Sequence, residues 1–440
     1  MPYLELLLLV LATTVQAETL CSLPPVVYTT AKVAYPAAAF AIEALEQNNI
    51  ATWYSDQLKS GDYAQLATDL VSLCPEDSRL SVVVYGLPEK DCNLKTPTDR
   101  TVHTAADYVA FLTKLTTTIG KRKVLYILEP DAIGLLTDAS SCGHKAGYLA
   151  NLQTAVGLLS QNDNAMIYLE VGYWTLESPA TATNVATLVK QLTTPGSRVK
   201  GITLNTLNYQ SINTLSTLCT TFQNAMGSTD LHCVIDTSRN RNDKPPNHEW
   251  CNVQTTGIGA LPTDQTGYAN VDYFVWATPP GTSDGTCRHR RSNSMAGPPP
   301  GEFFPAFFQS LWNQSLLVAE KKYPPISGTL IESDETLADE NDATDTRPRL
   351  HAANDAYIDD DTLHSATALQ VSGENSSKNT RGTGVVAIVA LVGVAVVAVG
   401  AVVNWRRKEG KLKVARETAL SALAPLPNFP PRERDSLSIL

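Results

Sequence analysis

The sequence is poor in positive charge: 34 Lys and Arg stand against 44 Asp and Glu, a formal net charge of −10. A surface that neutralises phosphates needs the opposite balance, so nucleic acid is excluded as the main partner. Cysteine is present eight times but never in a tight Cys-x-x-Cys pair, which excludes the commonest structural zinc sites. Two stretches are marked by what is missing. Residues 385–403 contain no charge at all, and residues 331–380 hold few large apolar side chains, with twelve acidic residues against three basic ones.

Those two stretches organise the C-terminal part. Val385 to Val403 is long enough for one transmembrane helix, and Trp405-Arg406-Arg407-Lys408 behind it predicts a cytoplasmic C-terminus over 404–440. The acidic stretch, 326–384 in full, cannot bury enough surface to offset its ordering entropy and reads as a disordered stalk. At the other end, residues 1–17 carry the short apolar core Leu6 to Leu11 and close on Val15-Gln16-Ala17, the pattern of a cleaved signal peptide. The expected placement is therefore a type I, single-pass protein of the cell surface with residues 18–325 outside. In that oxidising compartment an even count of cysteines suggests four disulfides, though spacing leaves their pairing open. Asn313 and Asn375 begin Asn-x-Ser acceptors for glycosylation.

Between the ends, 43% hydrophobic residues can bury a sizeable core. Seven apolar segments read as strands: Pro25 to Thr29, Leu80 to Leu87, Lys123 to Leu128, Ala165 to Val171, Val199 to Asn205, Leu231 to Asp236 and Tyr273 to Thr278. Helical periodicity over Ala105 to Thr116 and Tyr148 to Leu159 alternates with them. The alternation predicts an α/β fold, a parallel barrel of about seven strands with its chemistry at the strands' carboxyl ends. Polar groups gather there: Tyr85, Asp91, Asp131, Glu170, Asn205, Asn208, Asp236, Arg239 and Asp284. In Val124 to Leu136, Pro130 ends the strand and leaves Asp131 just beyond it. Asp131 then either caps the helix that starts at Ala132 or serves a cleft.

Seven stretches, in order, resemble glycoside hydrolase family 6, the cellobiohydrolases and endoglucanases that cut β-1,4-glucan with inversion. They are VVVYGLPEKDCN (82–93), YILEPDAIGLL (126–136), AMIYLEVG (165–172), GITLNTLNYQS (201–211), IDTSRN (235–240), EWCNVQTTGIGALPT (249–263) and VWATPPGTSDGTC (275–287). The resemblance implies an incomplete barrel that needs no metal or cofactor. It implies that Asp131 is the proton-donating acid, Asp91 the carboxylate that tunes it, and Asp284 the proposed base, acting directly or through a water. It pairs Cys92 with Cys142 and Cys251 with Cys287. It makes Trp53 and Trp250 sugar platforms, sets Tyr85 beside the scissile bond, and places Glu170, Asn205 and Arg239 among the substrate-binding residues. Read as residues alone, Trp53 and Trp250 fit a core equally well, Arg239 a structural ion pair and Glu170 a buried polar link; Trp276 and Trp312 are assigned to the core.

Four departures bear on substrate. Glu170 stands where the family has Asp, Tyr173 where it has His, and Thr278 and Thr282 where it has Lys and Glu. They leave open a second reading, a glucan-binding wall sensor with little or no catalysis. Only about nineteen residues separate Asp284 from Phe303, too few for a long roof, which points to an open cleft and internal cutting.

Overall fold

The computed structural model describes residues 17–57, 63–90, 92, 100–242, 249–287 and 293–331. The predicted signal, stalk, membrane span and tail therefore lie outside the described residues, apart from Ala17 and 326–331. Among the described residues no helix is long and apolar enough to cross a membrane.

Eight strands form one parallel sheet: β1 (Leu20–Cys21), β2 (Thr52–Ser55), β3 (Arg79–Tyr85), β4 (Val124–Leu128), β5 (Ala165–Glu170), β6 (Val199–Leu204), β7 (His232–Asp236) and β8 (Val271–Val275). β1 and β2 both pair with β3, end to end, and β4 to β8 follow in sequence order. The sheet thus has the seven positions expected. Eleven helices were assigned to the described chain: α1 (Val26–Ala34), α2 (Ala39–Glu46), α3 (Tyr63–Leu73), α4 (Ala105–Ile119), α5 (Ala132–Leu136), α6 (Cys142–Lys145), α7 (Tyr148–Leu159), α8 (Pro179–Leu192), α9 (Ile212–Met226), α10 (Pro305–Asn313) and α11 (Leu316–Ala319).

One expected strand is wrong. Pro25 to Thr29 lies in and just before α1, where Tyr28 and Ala31 are buried one helical turn apart. Helical burial outweighs the β preference of Val26, Val27 and Tyr28. The first position belongs instead to β1 and to β2, whose four residues TWYS are too short and too polar to stand out.

Alternation along the strands divides the interior. Val82, Val84, Tyr126, Leu128, Ile167 and Leu169 face the helices, and Phe111, Leu115 and Leu152 pack on them. Val83, Leu125, Ile127, Tyr168, Val234 and Val275 fill the barrel. Because side chains alternate with a period of two, Tyr85, Glu170 and Asp236 share the inward face at the carboxyl ends of β3, β5 and β7. Helix α4 is sharply bounded at both ends. Thr104 and Asp107 form a reciprocal capping box on α4, and Gly120 closes it at φ 58°.

The barrel closes between β2 and β8 with little backbone pairing. At the upper end Ile50 bridges Trp276, Ala51 N–H donates to Trp276 O at 2.8 Å, and the Trp53 indole donates to Ala277 O at 2.6 Å. At the lower end the Glu18 carboxylate accepts from Tyr273 OH (2.6 Å) and Arg79 Nε (2.6 Å). A second apolar cluster from α1, α2, α10 and α11 covers this side and buries Trp276 and Trp312, both assigned to the core above. Packed chain continues to Ile326 and Leu330, past the expected boundary at 325. Cys21–Cys74, Cys92–Cys142, Cys219–Cys233 and Cys251–Cys287 are bonded, so both expected pairs form.

Candidate active site

The last ladder bond of β4 is Glu129 N–H to Val84 O, 2.9 Å, and Pro130 follows with nothing to donate. Glu129 (φ 50°) and Asp131 (φ 69°) are both left-handed, a strained arrangement typical of residues held for function. Asp131 occupies the cap position of α5, yet its side chain makes no capping hydrogen bond. The capping alternative is thereby set aside. The Asp131 backbone N–H points at Glu170 Oε2 (2.8 Å), and Glu170 Oε1 accepts from Gly172 N–H (3.0 Å).

Glu170 is buried, and that burial, with the nearby Asp131 charge, raises its carboxyl to about 8 against the pull of two backbone N–H groups and Lys90. Two carboxyl groups in this setting retain a proton between them where exposed ones would have lost it. Beneath them lies a third. Glu129 is fully buried, accepts from Gly86 N–H (2.8 Å) and Tyr108 OH (2.9 Å), and is raised by burial. Lys90 Nζ stands 3.7 Å from Glu129, donates to Pro130 O and lies 4.6 Å from the centre of the Tyr85 ring. This buried cation offsets part of the charge of the three carboxyls and ties the turn to β3.

Across the mouth, Asp284 is held on every side. Its Oδ1 accepts from Arg239 Nη1 (2.9 Å), and its Oδ2 accepts from Tyr209 OH (2.6 Å) and Asn252 N–H (2.8 Å). Asp284 N–H returns a bond to Asn252 Oδ1 (2.7 Å), and the Cys251–Cys287 disulfide staples the two loops beside it. Arg239 is fully buried and stacks 4.4 Å over Tyr209. Three of the four lone-pair sites of the carboxylate are taken, which leaves one for water or substrate.

Over residues 25–315 the sequence matches the family described as Glycosyl hydrolases family 6. The chain belongs to glycosyl hydrolase family 6. Endoglucanase A of Thermobispora bispora is 31% identical over a region covering 46% of this chain and 43% of that protein. The probable 1,4-beta-D-glucan cellobiohydrolase C of Aspergillus niger is 28% identical, covering 52% of this chain and 59% of the relative. The chain thus spans about half the length of the curated relatives it matches. Cellobiohydrolase II (Cel6A) from Humicola insolens, solved with glucose and cellotetraose, superimposes with a TM-score of 0.58 at 19% identity over 68% of this chain and 98% of that one. The endoglucanase Cel6 from Mycobacterium tuberculosis gives 0.55 at 21% identity over 67% and 96%. At these identities the likeness is one of fold.

In this family 6 chain several expected residues have their positions. Tyr85 lies between Lys90, Arg100 (5.8 Å) and the Trp53 ring (5.4 Å). Trp53 is partly buried with its indole tied to the seam, whereas Trp250 is 49% exposed and no core residue. Asn205 is buried, donates to Asp236 O and accepts from Gln210 N–H, so it braces the β6 loop. Arg239 likewise reaches the site through its pairing with Asp284. Thr278 serves an internal role, donating to Asp236 Oδ2 (2.8 Å), and Thr282 donates to Pro279 O (2.8 Å). Asp91 and Asn375 lie outside the described residues. Asn313 spends its side-chain amide on Ile326 O (3.0 Å), so the nitrogen that a glycan would take is engaged in the folded domain.

Sequence reasoning missed Lys90, Glu129, Tyr108, Tyr209 and Asn252. Four fall inside the quoted family stretches, and the strand-end census passed over them because it weighed single polar residues rather than their partners.

Proposed function

We infer that the chain is an inverting O-glycosyl hydrolase that cuts β-1,4-glucosidic bonds in cellulose or a related β-glucan. The observation that carries this reading is the left-handed Asp131 at the end of β4, whose side chain makes no capping hydrogen bond and whose backbone N–H is held by the buried Glu170; burial and the Asp131 charge raise the Glu170 carboxyl, so the pair keeps a proton for transfer. Asp131 delivers that proton to the glycosidic oxygen as the bond from the anomeric carbon breaks. Water attacks that carbon from the opposite face, and its proton leaves toward Asp284, directly or through a second water. The carboxyls sit on β4 and after β8, which suits the ~6.5–9.5 Å gap that an inverting enzyme keeps for that water. Asp91 is assigned as a further carboxylate neighbour of the acid.

Internal cutting is the preferred mode. The described part of the segment after Asp284 is tied back to Ser283 and Asn252: Ser283 N–H donates to Glu302 O (2.8 Å), Gly301 N–H to Ser283 O (2.9 Å) and Met295 N–H to Asn252 O (3.0 Å). Four disulfides suit an extracellular domain, and residues 385–403 would anchor it at the cell surface.

Asp131→Asn is expected to abolish release of reducing ends from soluble cellulose derivatives while the unfolding transition keeps its cooperativity. The anomer first released by the wild type, followed by NMR, should be α. Rates like the wild type's in the variant would overturn the assignment of the acid. Glucan binding by the wild type without any cleavage would favour the sensor reading, which the departures at Tyr173, Thr278 and Thr282 motivate.

A further inference from the structure

At the base of the barrel, opposite the mouth, a charged cluster is built around Glu18. Its carboxylate accepts from Arg79 Nε (2.6 Å) and Nη2 (3.1 Å) and from Tyr273 OH (2.6 Å), and Lys123 Nζ stands 3.6 Å away. Beside it Arg79 N–H donates to Thr19 O (2.8 Å), and β1 joins β3 with Leu20 opposite Arg79. Glu18 thus ties β1 and β3 to β8 at the lower seam. The chemistry at the mouth uses none of these groups.

The backbone nitrogen of Glu18 is held as well. Its N–H donates to Asp264 Oδ2 at 3.0 Å. Asp264 is placed by Thr263, which exchanges both backbone hydrogen bonds with Phe274 on β8 (3.0 and 2.9 Å). The half-buried Asp264 carboxylate otherwise accepts from the adjacent Gln265 amide (3.2 Å), and no Lys or Arg pairs with it among the described residues. One residue earlier the anchoring stops. Ala17 is exposed and makes no hydrogen bond among the described residues. The first anchored atom of the chain is therefore the nitrogen that a cut after Ala17 would free, and Val15-Gln16-Ala17 is the pattern that directs a cut there.

We propose that the Ala17–Glu18 bond is a maturation site, and that the α-ammonium created on Glu18 pairs with Asp264 to complete the lower seam. A leader peptidase of the export machinery makes the cut with water as co-reactant. The C–N bond breaks, the water oxygen stays on Ala17, which leaves with the leader as a carboxylate, and both water protons go to the Glu18 nitrogen. Before the cut Asp264 holds a neutral N–H. After it the same contact carries charge on both sides, and such bonds are roughly twice as strong as neutral ones. Asp264 and the Glu18 carboxylate favour the ammonium, Arg79 and Lys123 oppose it, and Tyr273 is neutral. The Glu18 carboxylate is already engaged by Arg79, which leaves Asp264 as the counter-ion. None of this depends on what the mouth cuts, so the inference and the hydrolase reading can fail separately.

The test recovers the full chain from a secreting host in detergent and reads its N-terminal peptide by mass spectrometry. The expected first residue is Glu18; a chain that keeps Ala17 or starts elsewhere would overturn the maturation site. Calorimetry then reads the ion pair. Asp264→Asn keeps an acceptor but loses the charge, and should lower the unfolding midpoint by about 1–3 °C near neutral pH. In a chain delivered behind a leader whose cut keeps Ala17, a peptide N–H replaces the ammonium, and the same substitution should cost less than half as much. An α-amino group ordinarily titrates at ~7.7–8.0, and Asp264 raises it. The contribution of the pair is thus full below that range and lost as pH rises past it, so the Asp264→Asn deficit should shrink by about pH 9.5. A deficit equal in both chains and at both pH values would show a plain hydrogen bond and overturn the ion pair.

Discussion

Glu170→Gln separates the charge of the acid pair from its shape. Glu170 is buried and accepts from two backbone N–H groups, at Asp131 and Gly172, which favour its anion; burial and the Asp131 charge outweigh them and raise it to about 8. Neutralising position 170 removes one carboxyl of the pair and with it the mutual repulsion that raises their shared titration. A like charge this close shifts a carboxyl by ~1–3 pH units, or ~1.4–4 kcal/mol. The alkaline limb of kcat/KM, expected near pH 8 in the wild type, should move down by that amount. The amide also turns one donor toward a backbone N–H, so stability should fall by ~1–3 kcal/mol. Glu170→Asp keeps the charge on a shorter arm, so it should lower the rate and leave the limb near 8. The assay is hydrolysis of soluble cello-oligosaccharides across pH, with urea unfolding alongside. If Glu170→Gln keeps the wild-type limb and rate, the shared proton does not govern catalysis and the reasoning fails.

Two further outcomes follow from buried charge. Arg239→Met would leave Asp284 buried without its cation, and denaturant unfolding should register a loss of ~3–5 kcal/mol; a loss under 1 kcal/mol would show that Tyr209 and Asn252 suffice to hold Asp284. Glu170, Glu129 and Asp236 are all raised by burial, so the native state holds protons that the unfolded chain has released. Their contribution is therefore full below the ordinary value of 4.5 for Glu and is lost as pH rises toward about 8. Calorimetric midpoints should decline across that window; a midpoint that rises through it would contradict the shifts.

Much of the barrel is legible in the sequence because β3 to β8 are buried on both faces and so read as apolar runs. β2 is not, because Thr52 and Ser55 spend its short length on polar atoms, and its contact across the seam includes an indole bond that no periodicity records. The acid is legible through Pro130, which fixes where pairing stops. Its surroundings are less so. A lysine in a turn looks solvated until Lys90 is found buried against Glu129, and Asn205 looks available until both ends of its amide are found engaged.

The seam between β2 and β8 has a meaning for how this barrel can diverge. A fully laddered barrel has its girth set by strand number and stagger, which point mutations cannot alter. Here one backbone bridge and the Trp53 indole hold the upper seam, so the width of the mouth depends in part on a side chain. Substitutions at position 53 and its neighbours can therefore widen or narrow the cleft. Asp131 and Glu170, two and three strands from β2, keep their geometry while the gap across the sheet is retuned.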